Sequence, residues 1–435
     1  MTEPFHVKDL SLAEKGASRI MLAESMMPVL SLLRRKYADE KPFEGYRVSM
    51  CLHVTKETAV LCRVLREGGA KVALCASNPL STQDDVAAAL AVEGFNVYAF
   101  RGMSTQEYYG ALGKVLSHGP HLLVDDGADL ITSLHRLIHG LPDVHLEDVR
   151  RGMDGADVPR VWGATEETTT GVTRLRALDG EGLLAFPVIA VNDALSKSLF
   201  DNPLGTGQSA LDGVLRATNL LLAGKTVVVA GYGRVGAGIA ERAKGMGARV
   251  VVVEPDPIKA LQAYMNGFTV TSMSKASEIG DVFITATGNI DVIRGEHFEK
   301  MKDGVFLANA GHMDVEINKQ DLKQLAVSVE TIRENVTLYR LRNGRKLFLL
   351  ADGRLVNLVC AEGHPSEVMD LSFSLQAESL RYLIKNVEKL GKHVYTVPRE
   401  IDEAVAALKL AAFGVELEKL TPRQLDYMRS WMAGT

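Results

Sequence analysis

Short apolar runs recur along this chain, and many of the segments between them carry apolar residues at helical spacing. The run "RVSMCLHV" is nearly continuous in apolar residues, which predicts a strand buried on both faces. "TKETAVLCRVLREGG" then predicts a helix, with Thr55 as N-cap and Gly68-Gly69 at its stop. "AKVALCAS" predicts a second strand and "STQDDVAAALAVEG" a second capped helix. "FNVYAF", "HLLVDDGA" and "PVIAVND" continue the alternation. Repeated strand–helix–strand units imply a parallel sheet covered on both faces. Ahead of them, Leu12, Ile20, Leu22, Met27, Leu30 and Leu33 predict a helix over residues 10–37, kinked at Pro28.

The alternation restarts at Lys225. "KTVVVAG", "ARVVVVEP", "DVFITATG" and "GVFLANAG" predict strands with helices between them. "RKLFLLADGRLVNLV" reads as strand, turn and strand, and "PSEVMDLSFSLQAESLRYLIKN" as a long helix. "PREIDEAVAALKLAAFG" and "TPRQLDYMRSWM" predict helices near the end. The fold class expected is α/β, with two doubly wound parallel-sheet domains and a short helical C-terminal tail. The second domain, Rossmann-like, is inserted in the larger first one.

Composition narrows the function classes. A length of 435 residues suits two domains rather than one core. With 46% hydrophobic and 24% charged residues the chain reads as soluble and globular. The net charge of -5 supplies no basic field, so no nucleic-acid partner is expected. No apolar run is long enough for a membrane span, and the polar start "MTEPFHVKDLSLAEK" gives no secretory leader, so a cytoplasmic location is expected. Cys51, Cys62, Cys75 and Cys360 show no C-x-x-C pair and sit among apolar neighbours. Buried free thiols are expected, and no metal site.

Candidate chemistry begins in the restarted half. Gly231-x-Gly233-x-x-Gly236 follows the strand "KTVVVAG" and opens a helix. Gly231 allows the tight turn, Gly233 lets the backbone approach a pyrophosphate, and Gly236 lets helix and strand pack closely. The next strand ends in Glu254, where a carboxylate accepts hydrogen bonds from both ribose hydroxyls and repels a 2′-phosphate. NAD is therefore expected over NADP, with Arg234 and Lys259 as the residues that complicate that choice.

The segments "CLHVTKETAVL", "SNPLSTQDDVAAAL", "DDGADL", "EETTTGV", "VNDALSKSLFDN", "AGYGRVG", "AGHMDVEI", "GRLVNL" and "GHPSEVM" occur in one order along the chain. As a set they resemble S-adenosyl-L-homocysteine hydrolase, from about residue 10 to about residue 425. The resemblance implies one tightly held NAD per subunit, used as an internal redox relay. In that family the 3′-hydroxyl of a nucleoside thioether is oxidised to a ketone, a base removes the acidified C4′ hydrogen, homocysteine leaves, water adds, and the ketone is reduced again.

The resemblance also implies residue roles. Lys197 and Asp201 meet the 3′-hydroxyl, and a lysine acting as a base near pH 7 must be desolvated or beside another cation. Asp126 handles a proton at C4′ or the leaving group, with His53 as its acid–base partner near the 5′ carbon and sulfur. Glu167 accepts from ribose hydroxyls, and His312 faces the nicotinamide ribose and the substrate. Thr55 and Glu57 match the adenine side, and His364 lies in the segment resembling a substrate gate. The cofactor set is Thr168, Thr169, Thr170, Asn202, Gly231, Gly233, Arg234, Val235, Gly236, Glu254, Lys259, Thr287, Gly288, Asn289, Ala310, Gly311, His312 and Asn357. Asp125 and Asp129 are read as capping or turn residues.

The domains expected are a substrate-binding unit over 1–194 and 355–390, an NAD-binding unit over 195–354, and a helical tail over 391–435 making oligomer contacts. Hinges are expected near 195–205 and 350–360. A homotetramer is implied by the resemblance. Two departures stand out: Lys259 and Leu375 each replace a usual asparagine. The tail matches no Lys/Tyr pair of the kind that reaches a neighbour's NAD in long-tailed relatives, so looser cofactor binding is expected. Some compact relatives act on S-inosylhomocysteine, which leaves adenosyl and inosyl substrates both open. The rivals are a dehydrogenase with net NAD turnover and a non-catalytic NAD-binding regulator.

Overall fold

The computed structural model describes residues 4–432. Two eight-stranded sheets organise the chain. In the first, the order from one edge is Phe5–His6, Asn96–Tyr98, Lys71–Cys75, Arg47–Cys51, Leu122–Asp125, Gly163–Glu166, Val188–Ala190 and Val394–Thr396. All its pairings are parallel. The second runs Thr269–Val270, Arg249–Val253, Thr226–Ala230, Val282–Thr285, Val305–Asn309, Lys346–Leu350, Val336–Leu341 and Ala326–Arg333. It is parallel as far as Lys346–Leu350 and ends in an antiparallel hairpin.

Each sheet has a switch point near its middle, where the chain stops growing outward on one side and starts on the other. The chain moves outward from Arg47–Cys51 on one side and returns to Leu122–Asp125 on the other. The second sheet does the same between Thr226–Ala230 and Val282–Thr285. At such a switch point the loops after two neighbouring strands diverge and leave a crevice beyond their C-terminal ends. His53 and Asp126 lie just past the first switch point, because Cys51 and Asp125 are register partners. Gly231 and Thr287 lie just past the second, because Ala230 pairs with Thr285.

The central strands are buried throughout: Val48, Met50 and Cys51, Leu122 to Val124, and Val227 to Val229 are at most 1% exposed. Helix Lys56–Glu67 forms as its pattern requires. The Thr55 side chain accepts from Thr58 N at 3.5 Å, and Glu57 stands in the first turn. The long helix Ser366–Asn386 packs across the first sheet with Phe373, Leu375, Ala377, Leu380 and Leu383 in its core. Leu375, which replaces a polar residue of the family pattern, is fully buried there.

Several elements differ from the sequence reading. Residues 10–37 form two helices, Ala13–Ser25 and Pro28–Glu40, since Pro28 begins a helix where its missing N–H costs nothing. "GRLVNLV" is no strand. Ala351 and Asp352 take positive φ, the chain turns, and Val356–Val359 is a short helix. Val356 and Cys360 pack in the cofactor-side core, so the chain leaves that unit nearer 360 than 354. The stretch 391–435 contains the helices Arg399–Ala412 and Pro422–Arg429, but it also adds strand Val394–Thr396 to the first sheet. Val405 of the first of these helices belongs to the first domain's core, so the segment through about 412 is part of that domain. All four cysteines are free; Cys360 alone is half-buried and the others are buried.

Candidate active site

A cleft of about 880 Å³ opens between the C-terminal edges of the two sheets. Every site residue named from the sequence lines it except Gly236. A Cβ on Gly236 would strike the backbone oxygen of Gly231, so this glycine serves the approach of helix Arg234–Gly245 to its strand rather than the cavity wall. Leu52, Leu355, Leu358, Met369 and Phe373 add apolar wall that sequence reading did not identify.

On the cofactor side, Gly231 has φ +94° and a Cβ on Gly233 would meet nothing within 4 Å, so the backbone there is open to a ligand. The Glu254 carboxylate accepts from Tyr232 N at 2.6 Å and from Asp256 N at 3.0 Å, which fixes it at the end of its strand with lone pairs to spare. Asn357 donates to Ser209 Oγ at 3.2 Å, while its buried Oδ1 has no hydrogen-bond partner among the described residues. An orphaned amide oxygen facing a dinucleotide cleft suits a carboxamide donor, and the turn glycines suit a pyrophosphate. The residues present therefore fit NAD.

Two buried side chains that sequence reading passed over hold the cofactor-side loops. Glu316 accepts from Thr287 N at 3.0 Å, Thr287 Oγ1 at 2.7 Å and Gly288 N at 2.8 Å. Asn309 Nδ2 donates to the carbonyls of Gly311, Met313 and Gly353 at 3.0, 2.9 and 2.9 Å. The turn carrying Ala310, Gly311 and His312 is thus fixed from beneath. "VEI" and "LANAG" gave no periodic signal for either role.

On the other side, three groups gather around one point. Asp126 Oδ2 lies 3.4 Å from His53 Nε2, and Asp126 Oδ1 lies 3.7 Å from His312 Nδ1. The three ligand atoms are within 4.8 Å of one another, close enough to share one proton or one cation. The turn that delivers Asp126 uses Gly127 at φ +104°, and a Cβ there would fall on the His312 ring. Asp125 accepts from Asp126 N at 3.0 Å and Ile131 N at 2.8 Å, matching its reading as a capping residue. Burial raises the Asp125 carboxyl to about 7. Burial likewise lowers His53 to about 4, against the attraction of Asp126, so the imidazole is neutral near pH 7.

The second constellation surrounds Lys197, which is only 3% exposed. Its ammonium lies 2.7 Å from Asp201 Oδ2 and 3.9 Å from Glu167 Oε1, and it donates to Asn202 Oδ1 at 2.9 Å and Asn192 Oδ1 at 3.3 Å. A lysine acting as a base near pH 7 is expected to be desolvated or beside another cation, either of which lowers its pKa. Burial does act in that direction, but Asp201 and Glu167 outweigh it and hold the Lys197 pKa above its ordinary value. In this arrangement Lys197 is a firm ammonium donor. Asp201 Oδ1 is 2.5 Å from His364 Nδ1, and His364 Nε2 is 3.0 Å from Thr206 Oγ1. Burial opposes the Asp201 charge, yet His364 and Lys197 keep it well below the usual carboxylate range. Glu167 is raised to about 7 by burial, despite Lys197 and donated bonds from Ser372 Oγ and from Gln376 Nε2 at 2.6 Å. The segment Asp201–Thr206 is a wide turn of i→i+5 type, which brings Asp201, Asn202 and Thr206 onto the cleft together.

Also on the cleft wall, Glu57 is 1% exposed and accepts from Ser366 Oγ at 2.5 Å, with Lys56 Nζ 3.2 Å away. Thr168 N donates to buried Glu166 at 3.0 Å, and Thr169 Oγ1 to Asn192 at 3.1 Å. Thr168, Thr169 and Thr170 all line the cleft, and these bonds fix the first two of them.

Two α/β layers, one with a phosphate-cradling turn and the other with a buried acid–base set, define an NAD-dependent enzyme that works on a second small molecule in the shared cleft. The family model for S-adenosyl-L-homocysteine hydrolase matches residues 4–435. The chain is 55% identical over 434 residues to the adenosylhomocysteinase of Pyrococcus abyssi, covering 100% of this chain and 99% of that protein. It is 56% identical over 433 residues to that of Aquifex aeolicus, covering 99% and 100%. It is also 54% identical over 431 residues to the S-inosyl-L-homocysteine hydrolase of Methanocaldococcus jannaschii, covering 99% and 100%. The chain belongs to the S-adenosyl-L-homocysteine hydrolase family.

Proposed function

We propose that this enzyme reversibly hydrolyses S-adenosyl-L-homocysteine to adenosine and L-homocysteine. The observation that carries the reading is the single cleft in which Lys197, Asp201 and Glu167 surround one point and His53, Asp126 and His312 another, facing a dinucleotide edge. Bound NAD, held by the Gly231–Gly233 turn, Glu254, Thr287 and Asn357, supplies a reversible electron acceptor beside the sugar. Lys197 and Asp201 hold the 3′-hydroxyl and its proton. Glu167, fixed by Ser372 and Gln376, accepts from the neighbouring sugar hydroxyl. Asp126 and His53 exchange one proton with C4′ and with the leaving sulfur, and His312 orients Asp126. Closure of the two layers about hinges near 195–205 and 350–360 keeps water from the ketone stage.

Glu57 favours the adenosyl substrate, since its carboxylate accepts from an exocyclic amino group that hypoxanthine lacks. The inosyl substrate stays in view because of the relative named for it. A thiol-release assay with both substrates side by side decides. Free thiol with NADH appearing at most once per site supports the reading, and faster release from the inosyl compound reassigns the base. NADH accumulating in proportion to substrate overturns it in favour of a net dehydrogenase, and absence of thiol in favour of a regulator.

We infer further that the protein is a homo-oligomer, a tetramer as implied by the family, working in the cytoplasm. Residues 413–429 are exposed throughout, and Leu417, Tyr427, Met428 and Trp431 present apolar surface that a second copy would cover. Among the described residues no helix is long and apolar enough to cross a membrane.

A further inference from the structure

Ser81 lies on the loop after strand Lys71–Cys75 and is 2% exposed. Its Oγ is 2.7 Å from His53 Nδ1 and 3.2 Å from the backbone oxygen of Asn78. The loop is tied to the segment that carries His53: Ser77 N donates to Leu52 O at 3.2 Å and Gln83 N to Val54 O at 2.9 Å. Ser81 N also donates to Asn78 O at 3.4 Å, closing a turn that keeps the backbone carbonyl of Asn78 beside the Ser81 hydroxyl, and Leu80 N donates to the Asn78 side-chain Oδ1 at 2.9 Å.

We propose that Ser81 is a positioning residue for the reaction: it accepts the Nδ1–H of His53 and so presents the bare Nε2 of that ring to Asp126 and the reacting sugar. The argument is a count of protons. A backbone carbonyl only accepts, and a hydroxyl carries one hydrogen. With that hydrogen directed to Asn78 O, Ser81 Oγ can only accept from the ring. A neutral imidazole then carries its hydrogen on Nδ1, because the bond that nitrogen makes to Ser81 fixes the tautomer and leaves Nε2 bare. Bare Nε2 faces Asp126 Oδ2 at 3.4 Å. Two acceptors face each other, and the pair takes up one proton between them, which is what a single proton exchange with substrate requires. The burial that keeps His53 neutral near pH 7 is consistent with this arrangement. Neither the wall of the cleft nor the bonding of any other side chain around His53 supplies an alternative partner for Nδ1 among the described residues.

The proposal rests on the reaction read above, so its test includes a measurement independent of turnover. Magic-angle-spinning ¹⁵N spectra of histidine-labelled, NAD-loaded protein are recorded, with His53 assigned by difference from His53→Asn. The expected wild-type signal is the Nδ1–H tautomer. Ser81→Ala is expected to mix the tautomers and lower kcat for thiol release by about 10- to 100-fold with KM little changed. Ser81→Thr, which keeps the hydroxyl, is expected to recover the tautomer and most of kcat. An Nε2–H tautomer in the wild type overturns the proposal, whatever the variants do, as does Ser81→Ala with wild-type kcat. Wild-type protein that shows the Nδ1–H tautomer but releases no thiol supports the positioning claim and sinks the reaction instead.

Discussion

Replacing Glu167 by Gln is expected to stabilise the fold above neutral pH while removing most of the activity. Glu167 is 5% exposed, and burial raises its carboxyl from 4.5 to about 7. At 1.36 kcal/mol per unit, that rise is worth an upper bound of about 3 kcal/mol. The sign follows from linkage. The folded pKa lies above the unfolded one, so the native state binds more protons in between and wild-type stability declines as pH rises from about 4.5 to about 7. Above that range the cost of a buried charge is complete. Gln carries no charge at any pH, and the Lys197 attraction is already contained in the rise to about 7, but the amide turns a hydrogen toward Ser372 or Gln376, both of which donate to the carboxylate in the wild type. This loss leaves a net gain of about 1–2 kcal/mol at pH 8 and none at pH 5. For a chain of 435 residues unfolding as one unit, that is on the order of 1–2 °C in Tm. Thermal melts of both proteins, saturated with NAD at matched ionic strength from pH 5 to 8.5, measure it. A difference that stays flat across the series, or a variant less stable at every pH, refutes the reasoning. Retained thiol release would separately refute the role given to Glu167.

Two further changes probe the same cleft. Lys197→Ala should leave NAD binding intact in a fluorescence titration yet lower thiol release by at least about 100-fold, since the 3′-hydroxyl loses its cationic partner; unchanged turnover would remove Lys197 from the mechanism. Glu254→Ser should weaken NAD by at least about 30-fold, the loss of roughly two ribose hydrogen bonds at about 1 kcal/mol or more each, and should strengthen NADP as the repulsion of a 2′-phosphate disappears. A competition titration that still shows the wild-type preference for NAD would place nucleotide selectivity elsewhere, with Lys259 the next residue to test.

Much of the architecture was legible because it is written locally. Continuous apolar runs such as "KTVVVAG" and "HLLVDD" become central strands that helices cover on both faces, and their periodicity is visible over a few residues. Six strands among the described residues escaped notice. Phe5–His6, Thr269–Val270 and Val394–Thr396 are short edge strands, and Ala326–Arg333 is an edge strand exposed along nearly its whole length. Gly163–Glu166 and Val336–Leu341 lie inside the sheets, and the polar residues in "GATE" and "VTLYRL" interrupt the apolar run that marks the other central strands. Edge strands are held by a neighbour's backbone, not by an apolar pattern of their own. The dinucleotide turn was legible for the same local reason as the central strands. Glu316 and Asn309 were not, since their partners lie in loops brought together only by the second sheet.

By itself, the order of residues determined that there would be two α/β layers, a glycine turn for a dinucleotide, and a set of polar residues placed just after apolar strands. Those are short-range facts, fixed by periodicity and by where strands end. The tertiary structure decided what these groups are chemically. Lys197 is buried yet stays an ammonium because Glu167 and Asp201 stand beside it and outweigh burial, and Asp201 stays ionised because His364, from 163 positions away, closes on its other oxygen. Charge states follow the distances and burial of groups remote in sequence, and only the folded chain sets those distances.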